Sequence, residues 1–274
     1  MIGRISAPLG RHVFLLLICL SALYPIWFMV STALKSNQDY QLHPTGFPRH
    51  PTLHNFVTAI RDLPIPHWLL NSAIVAVSSI AISTLIAMLG AFAIAYGSFR
   101  GRDLLLKANV VLMVIPPVTL IIPMFVLMVD LRLINTLTSV IVFYSGLLVP
   151  FSVFFLVNFF KTVPLELIEA ATVDGDSALG ILRRIVTPIS AAAIFALVVV
   201  NAIWVWNELL IALVFLQDEN KRTLMAGLTL FQGRYNTNQP LILAGAFVSI
   251  LPVILLYLSG QRFFVRGLTA GIGK

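Results

Sequence analysis

The side chains that could do chemistry are few in this chain, and its acidic residues concentrate in one short interval. The stretch 169–175 reads Glu-Ala-Ala-Thr-Val-Asp-Gly, and Glu166 and Asp176 flank it. Carboxylates on a protein surface form ion pairs with basic residues of another protein. The interval therefore predicts a surface that binds a partner.

A second candidate is Glu208, the one acidic residue deep within an apolar run, with Trp204, Trp206 and Asn207 beside it. A charge inside a membrane span is costly, so a functional or inter-subunit role is expected. Aromatic faces with amide and carboxylate groups suit the C–H faces and hydroxyls of a sugar. Trp206 and Glu208 could equally organise a water-filled cavity or a helix interface, and the sequence leaves both interpretations open.

Metal chemistry has little support in the residues. Loop 35–69 holds four of the five histidines, and His50 and His54 have the spacing of a metal pair on a helix. Pro51 between them disfavours a regular helix, so we interpret the loop as a surface segment that caps helix ends. Cys19 is the only cysteine, which excludes a disulfide within the chain and a cysteine-based metal cluster.

The composition indicates whether these residues belong to a soluble protein or to a membrane protein. The chain is 59% hydrophobic and 11% charged, with a mean hydropathy of +0.96, whereas a soluble domain carries roughly 25% charged residues. So few charges cannot cover a water-facing surface, and we predict an integral membrane protein. The net charge of +7 is spread over short loops rather than one basic patch, which argues against nucleic-acid binding.

Six apolar runs are long enough to cross a bilayer, since a spanning helix needs about 20 residues. They are residues 12–34, 70–97, 104–129, 138–160, 189–216 and 241–260. The first run exceeds a signal peptide's apolar region of roughly 7–15 residues, so we interpret it as a retained span. Strand-like alternation is absent from the sequence. The predicted fold class is an all-α membrane protein, with residues 1–274 forming one transmembrane domain.

Lys and Arg predict the topology. Four segments hold 11 of the 18 basic residues: 1–11, 98–107, 161–188 and 261–274. Because cytoplasmic loops carry the excess of Lys and Arg, both termini are predicted to be cytoplasmic. Segment 161–188 then lies in the cytoplasm, and loops 35–69 and 217–240 lie outside.

Segment 161–188 predicts two helices joined by a tight turn. Pro164 suits the first turn of a helix, Glu166 complements its positive end, and Gly175 suits the left-handed residue after its last turn. Ser177 is a fair N-cap for a second helix, which ends near Pro188. This is more order than a connector requires. We therefore expect a helix-turn-helix on the inner face of the membrane.

Two further patterns concern packing. Small residues recur at every fourth position of the second run, where another backbone could approach closely: Ser79, Ser83, Ala87, Ala91 and Ala95. Prolines interrupt the third run at 116, 117 and 123 and the fourth at 150. They predict bent helices, which either line a pathway or simply pack on their neighbours.

Segment 169–188 resembles the signature loop of ATP-binding-cassette importer permeases. In that loop, Glu-Ala-Ala is followed by three residues, Gly, nine residues and Ile-x-Leu-Pro. The chain matches it at Glu169, Ala170, Ala171, Gly175, Ile185 and Pro188, with Thr187 in place of the leucine. Further motifs are similar to the carbohydrate branch of the family and its smaller maltose-type subunit: Trp206-Asn207-Glu208, Gly227-Leu228, Phe231-Gln232-Gly233 and residues 264–271.

The resemblance implies a role for each motif. In the family the loop docks as a coupling helix on a separate ATPase subunit, here through Glu169, Ala170, Ala171, Asp174 and Gly175. The substrate pathway would include Trp206, Asn207 and Glu208. An external sugar-binding protein would contact Phe231, Gln232, Gly233, Arg234 and Tyr235.

The resemblance also implies an assembly in the bacterial cytoplasmic membrane. It would contain a second permease, two ATPase copies that carry ATP and magnesium, and the binding protein. Residues 271–274 end in Gly-Lys without the spaced first glycine of a phosphate loop, so no cofactor and no enzymatic activity are expected in this chain. The alternative is a self-sufficient ion-coupled carrier, which would need inverted repeats and charges near the midplane.

Overall fold

The computed structural model describes the backbone of residues 3–234 and 238–270, and the side chains of residues 10–229, 238–255, 257 and 258. Every regular element in these ranges is a helix, as predicted. The α-helices are α1 (Gly3–Ala33), α2 (Asn37–Leu42), α3 (His54–Arg61), α4 (Ile65–Tyr96), α5 (Arg102–Leu112), α6 (Pro117–Asp130), α7 (Leu137–Phe160), α8 (Leu165–Val173), α9 (Ala178–Ile181), α10 (Thr187–Ile189), α11 (Ala191–Asn207), α12 (Leu210–Phe215), α13 (Leu224–Arg234) and α14 (Gln239–Ala270). A π-helical turn, Leu182–Val186, joins α9 to α10.

Three helical stretches are long and apolar enough to cross a membrane without a break: Gly10–Ala33, Ile65–Tyr96 and Leu137–Phe160. Two further candidates are bent pairs, with 96° between α5 and α6 and 81° between Ala178–Ile189 and α11. The described residues thus hold three to five candidate spans, compared with six predicted. The remaining predicted run, 241–260, lies within α14.

Two predicted runs are not continuous helices. In the run 104–129, α5 ends at Leu112 and α6 begins at Pro117, because Pro116 has an extended backbone (φ −63°, ψ 131°). A residue before proline is excluded from the helical region, which explains the break at the Pro-Pro pair. The run 189–216 is interrupted between α11 and α12, at Glu208 and Leu209.

Contacts divide the chain into two compact units. The first unit consists of Met1–Pro66 with Gly227–Leu251, and the second of His67–Ala226 with Pro252–Lys274. Each unit has its own internal polar and apolar contacts.

In the first unit, the segment after α1 folds back over the end of that helix. Lys35 is completely buried, and its Nζ donates to the carbonyl oxygens of His43 at 2.9 Å and Pro44 at 3.2 Å. Asn55 Nδ2 donates to the carbonyl oxygens of Ala33 and Lys35, each at 2.7 Å. Among these acceptors, the Ala33 carbonyl belongs to the last residue of α1 and is one of those that a helix leaves unpaired at its C-terminus. The predicted capping role of this loop is confirmed for the end of α1.

In the second unit, the stripe of small residues on α4 is a packing surface, as predicted. Ser79, Ser83, Ala87 and Ala91 are completely buried, while Ala95 is half-buried. The Ser79 hydroxyl donates to the Ile141 carbonyl oxygen of α7 at 3.4 Å. Small side chains therefore let α4 and α7 approach closely.

Two apolar clusters form the core of the second unit. One centres on α12. There the centroid of the Phe215 ring lies 5.4 Å from that of Phe143 and 6.0 Å from that of Phe125. The other joins the end of α7 to the segment that follows it, through Phe160, Ile168 and other buried residues. This second cluster positions segment 161–188.

Candidate functional site

The helix α8 lies where the sequence predicts the first helix of the helix-turn-helix. Pro164 is its N-cap, with an extended backbone (φ −55°, ψ 130°), and Glu166 lies in its first turn. A carboxylate there complements the partial positive charge of the free N–H groups. Pro164 thus stands one position earlier than predicted, just outside the first turn.

A tight turn ends α8. Gly175 has φ +82°, in the left-handed region that favours glycine. Its N–H donates to the Thr172 carbonyl oxygen at 3.1 Å, and the Asp176 N–H donates to the Ala171 carbonyl oxygen at 2.9 Å. This pair of bonds is a Schellman motif, which satisfies the last carbonyls of the helix. The predicted role of Gly175 as a helix stop is confirmed.

The buried side chain of Ile168 anchors α8 to the core. Ile168 is buried in the same apolar cluster as Val163, Ile181 and Val186. The helix is therefore held against α7, α9 and the π-helical turn through a single apolar contact surface. Ala171 also packs against this cluster, and the other side chains of α8 are exposed.

The outward surface, which we call the α8 face, mixes acidic and apolar side chains. Glu169, Ala170 and Asp174 are exposed, as is Gly175 after the helix, and Ala171 is half-buried. Apolar side chains beside them are also exposed: Leu165, Leu167 and Val173, the last at 87%. Adjacent exposed carboxylates and large apolar groups are typical of a protein-binding surface. The five predicted docking residues therefore lie together on or beside this face.

The segment after the turn is capped as predicted. The Ser177 hydroxyl oxygen accepts from the Gly180 N–H at 3.1 Å, and Asp176 Oδ1 accepts from the Ser177 N–H at 2.9 Å. Asp176 also pairs with Arg184 at 3.5 Å. A Cβ placed on Gly180 would lie 2.1 Å from Asp176 Oδ1, so an alanine there would displace the Asp176 carboxylate.

Glu208 serves the local fold. It follows the last residue of α11, and its carboxylate accepts from the N–H groups of Ile211 at 3.0 Å and Ala212 at 3.3 Å. The Tyr144 hydroxyl donates to the same carboxylate. Glu208 therefore caps α12 and ties it to α7. This arrangement agrees with the interpretation that Glu208 organises a helix interface.

The neighbours of Glu208 do not form one cluster with it. Trp204 lines a cavity of about 540 Å³ together with Asn201 and Phe143. Trp206 lines a different, largely apolar cavity of about 610 Å³ together with Thr84. Asn207 is exposed, and its Nδ2 donates to the Ile203 carbonyl oxygen at 2.7 Å. The structure thus directs the predicted pathway residues to three separate surroundings.

The predicted binding-protein contacts fall at the edge of the described chain. Phe231, Gln232, Gly233 and Arg234 form the end of α13, so this part of the loop is helical. Their side chains and the whole of Tyr235 lie outside the described residues.

Sequence reasoning missed the contacts that fix the start of the same loop. Trp68 Nε1 donates to the Glu219 carbonyl oxygen at 2.7 Å, and Asn71 Nδ2 donates to those of Asn220 and Arg222 at 2.8 and 2.9 Å. An Asn inside an apolar run, at the start of α4, was the available signal. Among the described residues, no group of three or more His, Cys, Asp and Glu side chains is arranged to hold a metal ion.

Comparisons with known proteins agree with this architecture. Residues 83–269 match the family model described as "Binding-protein-dependent transport system inner membrane component". The sulfoquinovosyl glycerol transport system permease protein SmoH of Agrobacterium fabrum is 36% identical, over 93% of this chain and 90% of that protein. The diacetylchitobiose uptake system permease protein DasC of Streptomyces coelicolor is 31% identical, over 92% and 91%.

A solved structure has the same fold. It belongs to a bacterial ABC transporter involved in the import of the acidic polysaccharide alginate, and one of its chains matches with a TM-score of 0.81 and 24% identity. The match covers 94% of this chain and 96% of that one.

Proposed function

Because the chain belongs to the family of binding-protein-dependent transport system inner membrane components, we propose that it is the permease subunit of an ATP-binding-cassette importer for a carbohydrate. The family consists of membrane permease components, and ATP hydrolysis takes place in separate ATPase subunits. The chain is therefore a transporter subunit and not an enzyme. Two relatives are named for the transport of sulfoquinovosyl glycerol and the uptake of diacetylchitobiose. These names support the carbohydrate assignment. None of the comparisons supports an ion-coupled secondary carrier.

The α8 face is the observation that carries the mechanism. We propose that Glu169, Ala170, Ala171, Asp174 and Gly175 dock on the ATPase. Support comes from an exposed helix that is fixed to the permease core by Ile168 and ended sharply at Gly175. Movement of the ATPase pair would be transmitted through this anchored helix to α7 and α11. ATP and magnesium would be bound by the ATPase.

The proposed topology has six spans and two cytoplasmic termini within a single domain of 274 residues. In it, segment 161–188 is cytoplasmic, the bent pair α5 and α6 forms the third span, α11 with α12 forms the fifth, and α14 provides the sixth. The excess of basic residues in the alternate segments supports this arrangement. This charge pattern is a property of the chain itself, so the topology proposal does not depend on the partner subunits.

The proposed assembly contains a second permease, two ATPase copies and an extracytoplasmic binding protein. Six spans give half of a twelve-span channel. We propose that the end of α13, from Phe231 to Arg234, and Tyr235 contact the binding protein. Its position in a loop predicted to be external supports this assignment.

The substrate pathway is proposed to pass Trp206 and Asn207. Glu208 would act there as a positioning residue, because its carboxylate oxygens are engaged with α12 and Tyr144. A fixed break between α11 and α12 would hold the two neighbouring side chains at a constant height in the channel. An aromatic ring and an amide are suitable groups for contact with a sugar.

Charge reversal tests the docking surface. Glu169→Lys should greatly reduce the amount of ATPase that co-purifies with the permease and abolish binding-protein-stimulated ATP hydrolysis. Asp103→Lys is the matched control, since Asp103 is exposed and also lies in a segment predicted to be cytoplasmic. Equal retention of the ATPase by both variants would refute docking at the α8 face.

A transport assay tests the substrate class. Proteoliposomes that contain the complete importer should accumulate a labelled oligosaccharide or glycoside only with ATP inside and the binding protein outside. Accumulation of amino acids or peptides instead, with no carbohydrate taken up from a broad panel, would contradict the assignment.

A further inference from the structure

The short helix α3 carries an apolar stripe on the side that faces away from the protein. Leu53 immediately precedes the helix, and Val57 and Ile60 follow at spacings of four and three, which places all three on one helical face. They are exposed by 66%, 44% and 51%. Asn55 and Ala59, on the other side of α3, are buried. The described residues therefore leave the stripe largely uncovered.

The hydrogen bonds of Asn55 hold α3, and with it the apolar stripe, beside the C-terminal end of α1. Its amide nitrogen donates to the carbonyl oxygens of Ala33 and Lys35, at the C-terminal end of α1. That end of α1 is also the end of the first candidate span. The first turn of α3 therefore lies beside the point where the first candidate span ends.

Aromatic side chains lie near the same end of α1. Trp27, one and a half turns before the end of α1, contacts the ring of Phe47 edge to face at 5.5 Å and that of Tyr24 at 5.6 Å. Trp and Tyr concentrate at the membrane surface, where their rings lie among lipid headgroups. The exposed Phe47 adds an apolar group beside them.

The polar residues of α3 match the headgroup region. His54 and Arg61 are exposed, and their helical positions lie on the same edge of the Leu53, Val57 and Ile60 stripe. An apolar face with basic residues along its edge is typical of helices that lie in the membrane interface. The basic side chains there form ion pairs with lipid phosphates.

We propose that α3 is an interfacial helix, which inserts Leu53, Val57 and Ile60 into the lipid at the membrane surface and directs Arg61 to the phosphates. The occupant of the stripe is the bilayer itself, because α1 in the same unit also exposes a predominantly apolar surface from Val13 to Ile26. The proposed topology makes this the outer leaflet, whereas the contact with lipid depends only on the structure of this unit.

Spin-label accessibility tests the proposal on the complete importer in proteoliposomes. A nitroxide is attached to Val57→Cys or Ile60→Cys in a Cys19→Ser background with partner cysteines replaced, and collision rates with oxygen and with a water-soluble nickel complex are measured. At both sites the oxygen rate should exceed the nickel rate severalfold. Asp62→Cys, exposed at the end of α3, is the matched control and should show the reverse.

The other occupants give different results. Low collision rates with both reagents at Val57 and Ile60 would mean that a protein subunit covers the stripe. A high nickel rate that falls when the binding protein is added would mean that this protein docks there. Either result would overturn the proposal while leaving the importer assignment, which is measured by uptake in the same vesicles, intact.

Discussion

The Tyr144 hydroxyl donates a hydrogen bond to the carboxylate of Glu208, which joins the middle of α7 to the break between α11 and α12. The same carboxylate accepts two N–H groups at the start of α12. A charge that is costly in an apolar run is thereby satisfied by three donors. The pair holds the break between α11 and α12 in place.

Loss of this pair should reduce stability. A hydrogen bond to a charged group contributes about 1.5–3 kcal/mol, and an N-cap about 1 kcal/mol. Glu208→Ala should therefore lower the thermal unfolding midpoint of the purified permease complex more than Tyr144→Phe, and the double variant should be less destabilised than the sum of the two. Tyr24→Phe, on the exposed side of α1, is the control and should unfold like the wild type.

A different result would assign Glu208 to transport. If Glu208→Ala unfolded at the wild-type temperature but lost uptake, the carboxylate would serve the substrate and not the fold.

Gly175→Ala should weaken attachment of the ATPase. At φ +82° an alanine costs about 1–2 kcal/mol, so the turn after α8 would shift to relieve the strain. We expect severalfold less ATPase to co-purify with the variant. Gly101→Ala introduces the same kind of strain at φ +92°, also with no atom within 4 Å of the new Cβ. It should leave the attachment unchanged, and equal losses in both variants would argue against a docking role for the turn.

Gly180→Ala should destabilise the segment after the turn although alanine is the better helix former. The new Cβ would lie 2.1 Å from Asp176 Oδ1, and Asp176 is held by the Ser177 N–H and Arg184. Loss of these contacts should outweigh the gain in helix propensity of about 1 kcal/mol. Hydrogen exchange of residues 176–184 should become faster.

The matched control is Gly90→Ala in α4. There the new Cβ meets Val153 Cγ2 at 3.6 Å, an ordinary contact. In this control variant, hydrogen exchange of residues 176–184 should remain as in the wild type or slow slightly. Faster exchange in the Gly90 variant would mean that small volume changes, and not the Asp176 contact, control the region.

Local sequence signals predicted the helix-turn-helix of segment 161–188 well. The stop at Gly175 and the cap at Ser177 depend on chemistry within a few residues, which the sequence displays directly. The buried stripe of Ser79, Ser83 and Ala87 was predictable because small residues at helical spacing have one main use in a membrane.

Long-range contacts were out of reach. The role of Glu208 depends on Tyr144, 64 residues away, and that of Lys35 on carbonyl oxygens in an irregular loop. Hydropathy measures composition over a window, so it cannot separate a straight span from the pair α5 and α6, which bend by 96°. The position of such a break depends on backbone geometry at Pro116 and on the packing of its neighbours.

Asn71→Ala should loosen the start of loop 217–240. The Asn71 amide donates to the carbonyl oxygens of Asn220 and Arg222, and the residue is 8% exposed. Its loss removes two part-buried hydrogen bonds, which contribute about 0.5–1.5 kcal/mol each. Trypsin should therefore cleave after the exposed Lys221 several times faster in the variant. Asn158→Ala is the control, since Asn158 is exposed and bonds only to the Phe154 carbonyl oxygen of its own helix, at 2.9 Å. Cleavage at the wild-type rate in the Asn71 variant would show that other contacts, such as that between Trp68 and Glu219, suffice to hold the loop against α4.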